Sequence, residues 1–384
     1  MENNLNKWEP LIIDKTEQEK IYGENTTFSQ DVWRRFRSNK PALIGVCAII
    51  LLMLFAFVGP FFTHHTYDGQ NLDYANMPPR LSLVRYGDNL YYIAGNMRVV
   101  KVSEKGKLLG VVPKIKEDEA KKEIYLEDEG KEITLSYQKK PATILNDQGK
   151  RLKKVVTLWN KENLLGTDAL GRDILARLMY GSRISLIVAF VATVVNLVIG
   201  ILYGGIAGYV GGMVDNLMMR VVDIISTIPL TLYVILIMVF LENGFISIVV
   251  ALSMVYWVDM ARVVRGQIIS LKDNEFVLAA KTIGSSNKYI LFNHLLPNAM
   301  GPILVTATML IPSAIFMEAF LSFIGLGIAP PMASLGTMCN DALQTLKSSP
   351  YQLFLPALVI CIIMFAFNYV GDGLRDALDP KLKK

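Results

Sequence analysis

Residues 184–209 read ISLIVAFVATVVNLVIGILYGGIAGY, a run without a single Asp, Glu, Lys or Arg. A helix needs roughly 20 apolar residues to cross about 30 Å of hydrocarbon, and this run exceeds that. Hydrocarbon offers no hydrogen-bond partners, so such a segment must satisfy its backbone internally, as a helix does. Five further runs follow the same logic, at 42–62, about 221–241, 245–261, 299–325 and 353–371. The expected fold is an all-α polytopic membrane protein with six transmembrane helices. The run at 245–261 is the shortest, and the competing count is five spans with one re-entrant stretch.

Composition agrees. The chain has 384 residues, 52% hydrophobic and 19% charged, with a mean hydropathy of +0.36; an ordinary soluble domain carries about 25% charged residues. The net charge of +5 does not point to nucleic acid, because membrane proteins gather Lys and Arg in their inner loops. Membrane lipid is the expected surrounding and nucleic acid is not an expected partner. Cys47, Cys339 and Cys361 form no CxxC pair, so no disulfide framework or zinc site is suggested. Residues 1–41 are polar, and the run after them is too long for a signal-peptide core, so 42–62 reads as a retained anchor.

Lys and Arg set the orientation. With six spans and an inner N-terminus, the inner segments are 1–41, 210–220, 262–298 and 372–384. They hold seventeen positive residues, against Lys347 alone in the short outer loops. Long loops are exempt from the rule, which removes 63–183 from the count. Both termini are expected in the cytoplasm and the long segment outside.

Within that segment, Leu90–Ala94, Arg98–Val102, Glu123–Leu126, Ile133–Tyr137 and Val155–Trp159 are rich in β-branched and aromatic residues, the composition of strands. Turns with Gly106, Gly130 and Gly149 separate them. A small extracytoplasmic meander of antiparallel hairpins is expected at about 80–157, inside an outer segment 63–164. A short amphipathic helix at the outer interface is expected at 168–182, from the spacing of Ile174, Leu175, Leu178 and Met179.

Several chemistries are missing from the sequence. His64 and His65 precede no third residue at metal-ligand spacing, so no metal site is expected. No GxSxG, HExxH or dinucleotide fingerprint occurs. Gly-Lys at 106–107, 130–131 and 149–150 is never followed by Ser or Thr, so no P-loop is present. No cofactor and no catalytic residue is expected, and ATP-driven work would need a partner.

The inner loop 262–298 is far longer than an ordinary connection of two to eight residues. Glu275–Ile283 contains good helix formers and stops at Gly284; Ser285 or Ser286 can cap a second helix, and Leu296-Pro297 is expected to break into the next span. Ala279 and Ala280 offer a small face for close approach by another surface.

Here the chain resembles a known family. Ala279-Ala280, Gly284 and Leu296-Pro297 look like the EAA loop of ABC-importer permeases. WRRFRSNKPALIG at 33–45, LGTDALGRDILARLMYGSRISL at 165–186, the series Asp215, Arg220, Asp223 and Pro229, EAFLSFIGLGIAPP at 318–331 and GDGLRDALDP at 371–380 resemble the C-type permease of dipeptide and oligopeptide importers. The resemblance implies a type I importer permease whose core spans 165–384. It also implies a second homologous permease, two ATP-binding subunits that receive the coupling loop, and an extracytoplasmic peptide-binding protein. Coupling is then assigned to Glu275, Ala279, Ala280, Gly284, Leu296 and Pro297. Two departures stand out. Leu278 replaces the glutamate expected before the alanines, with Glu275 one turn earlier on the same face, and about 80 residues are inserted between Pro78-Pro79 and the LGTD motif.

Glu318 lies within the fifth run. A charged residue at mid-membrane costs roughly 2.5–3.5 kcal/mol on insertion scales, so it should face the bundle interior or the translocation path. Pro229, Pro302, Pro312 and Pro356 can kink spans, while Gly200, Gly204, Gly205 and Gly208 suit close helix packing. The expected function is peptide uptake by alternating access. Nickel or metal-chelate cargo is the alternative within the family; a secondary transporter and a membrane-anchored sensor or adhesion module are the alternatives outside it.

Overall fold

The helices outrun the apolar stretches that announce them. The computed structural model describes residues 27–242 and 244–378; Lys7, Lys15, Lys20, Lys381, Lys383 and Lys384 of the charge count lie outside them. The first helix, α1 (Phe28–Ser38), is amphipathic, and hydrogen bonds from Arg35 and Arg34 hold the Asp31 carboxyl below its usual range. The Asn39 side chain then caps α2 (Lys40–Phe62) by accepting from the Ala42 N–H at 3.2 Å.

After α2 the chain forms nine strands in two antiparallel sheets, ordered β4-β3-β2-β1-β9 and β5-β6-β7-β8. The first sheet comprises β1 (Arg80–Tyr86), β2 (Asn89–Ile93), β3 (Val99–Val102), β4 (Leu108–Val111) and β9 (Lys154–Trp159). The second comprises β5 (Lys114–Asp118), β6 (Glu123–Asp128), β7 (Lys131–Ser136) and β8 (Thr143–Leu145). Gly106, Gly130 and Gly149 take positive φ in their turns. Val84, Tyr91, Val99, Ile124, Leu126 and Leu135 form the core between the sheets. At its edge the Tyr91 hydroxyl donates to Asp128 at 2.6 Å, and Lys101 pairs with the same carboxylate at 3.0 Å. Burial, reinforced by Asp128, pushes the Tyr91 phenol up to about 12. The first and last strands pair, with Arg80 opposite Trp159, so chain entry and exit are adjacent, the geometry of a tolerated insertion.

The sheets are fastened to the bundle. The Tyr351 hydroxyl donates to the Met77 carbonyl at 3.0 Å, and the Gln352 amide donates to Asn76 and to the Thr167 carbonyl at 3.0 and 2.9 Å.

Four more continuous helices are long and apolar enough to cross a membrane: α3 (Ile174–Val210), α6 (Phe245–Leu271), α8 (Asn287–Phe323) and α10 (Tyr351–Leu378). Between α3 and α6 lie α4 (Gly212–Thr227) and α5 (Leu230–Leu241), bent by 84°. The run expected at 221–241 is therefore broken at Pro229, one of the prolines that the sequence marks as able to kink a span. A residue before proline is pushed out of the helical region, and Ile228, ahead of Pro229, is extended at φ −85°, ψ 126°. Alone, the 12 residues of α5 reach only about 18 Å. The described residues thus hold five helices long and apolar enough to cross a membrane, or six if the bent pair counts as one span. A correction concerns 168–182, which forms no separate interfacial helix. Asp173 caps α3 by accepting from the Ala176 N–H at 2.7 Å, and Ile174, Leu178 and Met179 are buried in the first turns of that long helix. The loop also shrinks: α6 runs on to Leu271 and α8 begins at Asn287, which leaves only α7 (Glu275–Thr282) and short connections outside the long helices.

Along α3, Gly200, Gly204 and Gly208 press against α6. An added Cβ at Gly204 would lie 2.2 Å from the Ala261 carbonyl oxygen, and one at Gly200 2.5 Å from Met260 Cγ. Gly205 points elsewhere, with Leu291 at 3.7 Å. Gly204→Ala should therefore cost about 1–3 kcal/mol, the usual penalty for overpacking, while Gly205→Ala should be nearly neutral. Thermal unfolding midpoints of the two detergent-purified variants check this, and equal midpoints would contradict it.

Candidate functional site

The bundle has two polar ends. With 37 residues, α3 spans about 55 Å, from the sheets at one end to α7 and its neighbours at the other. At the α7 end a helical hairpin is built from caps. The Gly284 N–H donates to the Lys281 carbonyl and the Ser285 N–H to the Ala280 carbonyl, both at 3.0 Å. That pair of bonds closes a helix when the residue after the C-cap is left-handed, and Gly284 has φ +80°. Ser286 then caps the start of α8 by accepting from the Tyr289 N–H at 3.3 Å.

One side of the hairpin is fixed to the bundle. Val277, Ala280, Ile290, Leu291, Leu295 and Leu296 are buried against Met260, Val264 and Ile268 of α6. The Tyr209 hydroxyl donates to Asn287 at 2.9 Å. Arg265 grips Asp215 through Nε and Nη2 at 2.5 and 2.6 Å, and Arg262 reaches Asp223 at 3.2 Å. These two pairs tie α4 to α6 and give partners to acidic residues that the sequence left unmatched.

The other side is open. Glu275, Ala279 and Pro297 are exposed, as are Leu278 at 51% and Ile283 at 82%. The two alanines thus part company: Ala279 faces out, whereas Ala280 packs inward. Leu296 is likewise buried. The helix is not interrupted at Leu296-Pro297, contrary to the break expected there. A π-helical turn at Ile290–Leu295 precedes it; such turns relax the regular ladder that a proline ring would otherwise clash with, and α8 continues through.

Glu318 sits in the bundle interior and is 0% exposed. Ser185 of α3 donates to Oε2 at 2.7 Å and Ser322 to Oε1 at 2.8 Å. The Ser334 hydroxyl donates to Ser322 at 3.4 Å, and the Leu335 N–H donates to Ser185 at 3.3 Å. The carboxyl therefore joins α3, α8 and the cap of α9 (Leu335–Ala342). His65, in turn, has Nε2 2.8 Å from the Glu162 carbonyl oxygen.

Sequence reading missed one cluster at the sheet end. Asp168, Arg172 and Arg177 are buried together and meet Asp341 of α9. Arg172 and Arg177 stand in the motif at 165–186 but off the apolar face of Ile174, Leu175, Leu178 and Met179, and nothing near Asp341 in sequence marks it as their partner.

With this geometry in place, relatives can be compared. Residues 197–384 match the family model for the binding-protein-dependent transport system inner membrane component, and 27–79 match that for the N-terminal transmembrane domain of oligopeptide transport permease C. The chain belongs to this family of transport-system membrane components. It is 38% identical over 379 residues to the oligopeptide transport system permease protein OppC of Bacillus subtilis, covering 99% of this chain and 98% of that one. It is 36% identical to the dipeptide transport system permease protein DppC of the same organism, covering 98% and 94%. The oligopeptide permease OppC of Escherichia coli matches at 49% over 216 residues, or 56% of this chain and 72% of that one. The two Bacillus alignments run through the β-rich segment, so that segment is shared with those relatives rather than peculiar to this chain.

The Glu318 network generates a comparison. Glu318→Gln keeps an acceptor for one serine and can turn its amide toward the other, so it should unfold near the wild-type midpoint. Glu318→Leu strands two buried hydroxyls and should lose about 1–3 kcal/mol. Thermal unfolding of both variants is the check.

Proposed function

We propose that this chain is a transmembrane subunit of an ATP-driven importer of peptides. The observation that carries the reading is end-to-end similarity to a permease named for oligopeptide transport, at 38% identity over 379 residues. In this reading the chain pairs with a second homologous permease to form the path. Two ATP-binding subunits sit inside, and a peptide-binding protein delivers cargo outside. Both termini are cytoplasmic and the two sheets extracytoplasmic, as the bias in Lys and Arg favours. The chain itself hydrolyses nothing; permeases of this kind rely on separate ATPase subunits.

Coupling to those subunits falls to the α7 hairpin. Its support is the contrast between its sides. Val277 and Ala280 lock it into the bundle core, while Glu275, Leu278, Ala279, Ile283 and Pro297 stand free. A rigid element with exposed apolar side chains at its tip transmits a push better than a loose loop. Closure of the ATPases would move the hairpin, and α6 and α8, which continue directly from it, would carry that displacement through the membrane. Leu278 and Glu275 are both exposed, so Glu275 can supply the carboxylate that the family motif places at 278. The fastening of the sheets through Tyr351 and Gln352 fits a platform for the arriving binding protein.

Gly284→Val tests the coupling assignment. Left-handed backbone costs a side-chain-bearing residue about 1–2 kcal/mol, and no atom lies within 4 Å of the added Cβ, so the protein should still reach the membrane. Peptide uptake should fall by about tenfold or more, the scale of such a penalty, with ATPase association lost or hydrolysis uncoupled. Glu275→Ala should weaken the same contact. Wild-type uptake in both variants would rule the hairpin out as the coupling element.

A further inference from the structure

At the sheet end, two buried arginines are served by two very different carboxylates. Asp168 is saturated. Its Oδ1 accepts from the backbone N–H groups of Leu170 and Arg172, both at 2.9 Å, and its Oδ2 accepts from Arg172 Nε at 2.7 Å and Arg177 Nη1 at 2.5 Å. Asp341 uses only Oδ2, which accepts from Arg172 Nη2 at 3.0 Å and Arg177 Nη2 at 3.1 Å. Its side chain is 43% exposed. Arg177, itself 3% exposed, has a buried Nε with no partner. Cavities of about 260 and 300 Å³ both border Arg172, Arg177 and Asp341; Gln344 also lines the first and Asn340 the second.

From this asymmetry we propose that Arg172 and Arg177 form a seat for the free C-terminal carboxylate of a peptide, which Asp341 fills when no peptide is present. The inference rests on the peptide-importer reading and names the group of the cargo that the permease itself recognises. Guanidiniums buried this deeply need a compensating anion at all times. Replacing one carboxylate by another keeps that balance, so the exchange avoids the penalty of leaving a buried charge unpaired. The planar fork of arginine suits a carboxylate in particular. Of the two anions, Asp168 is held by four donors from its own loop and the first turn of α3, whereas Asp341 arrives from a distant helix, has one free oxygen and stands open to solvent. Recesses of a few hundred Å³ admit a chain end, with one carboxylate on a narrow backbone, more readily than the surface of a folded protein. Gln344 offers an amide donor and acceptor to the last peptide groups.

The test uses the full chain assembled with its partner permease and ATPases in lipid nanodiscs, without the binding protein. Binding of N-terminally fluorescein-labelled trialanine is compared by fluorescence anisotropy with that of the same peptide bearing a C-terminal amide. The acid should bind about tenfold more tightly, the scale expected for hydrogen bonds to a charged group. Asp341→Asn removes the internal competitor and should tighten binding of the acid by a similar factor, leaving the amide unchanged. The wild-type comparison needs no variant, so poor assembly of Asp341→Asn would not blunt it. Equal binding of acid and amide overturns the proposal. So does a preference for the acid that emerges only when the binding protein is added, which would assign the carboxylate selection to that protein. Failure of the importer reading itself shows separately, as absence of ATP-dependent trialanine uptake in wild-type proteoliposomes supplied with the binding protein.

Discussion

Contact between α3 and α6 depends on backbones that approach almost without side chains between them. In water a core is held by expulsion of apolar surface; between helices in lipid that drive is absent, and close packing has to supply the attraction. Gly200, Gly204 and Gly208 provide it. The Ala261 carbonyl lies where a Cβ of Gly204 would be, so the two helices keep one rotation and one depth relative to each other. Everything that needs α6 in place inherits this constraint. The Arg265–Asp215 and Arg262–Asp223 pairs join α6 to α4, and the core beneath α7 uses Met260, Val264 and Ile268 of α6.

Polar groups are spent sparingly, and each joins elements that sequence keeps apart. Glu318 is satisfied by hydroxyls from its own helix and from α3. A buried carboxyl with a partner on each oxygen specifies how three helices meet more than it adds stability, because desolvation consumes much of the gain. At the sheet end, Tyr351 and Gln352 link the first turn of α10 to Met77, Asn76 and Thr167. These bonds tie α10 to the loops that lead into and out of the sheets.

Much of this was legible because membrane helices are announced by hydropathy alone. The apolar runs located every long helix but not its ends, since α3, α6 and α8 continue into polar sequence where hydropathy is silent. Pro229 was readable as a kink, but a proline can bend a span or start a new helix, and only the extended Ile228 decides between them. Five strands showed themselves through β-branched and aromatic residues. The charged edge strand Lys114–Asp118 did not, because an edge is kept soluble by the lysines and acids that make it resemble a loop. In the hairpin, Gly284 followed by Ser286 was a readable stop and start. The inward turn of Ala280 was not, because alanine suits a buried helix contact and an open face equally well. Asp341 was beyond reach for a different reason: its partners lie more than 160 residues away, and no local pattern encodes such a pairing.

Coupled uptake through this bundle requires its two polar ends to lie on opposite sides of the membrane. Glu129, at an exposed hairpin turn, and Thr282, exposed at the end of α7, report on them. In a chain with Cys47, Cys339 and Cys361 replaced, single cysteines at these positions would be treated with a membrane-impermeant thiol reagent on intact cells and again after permeabilisation. Glu129→Cys should label at once and Thr282→Cys only after permeabilisation. Labelling of Thr282→Cys in intact cells, with Glu129→Cys protected, would contradict that arrangement.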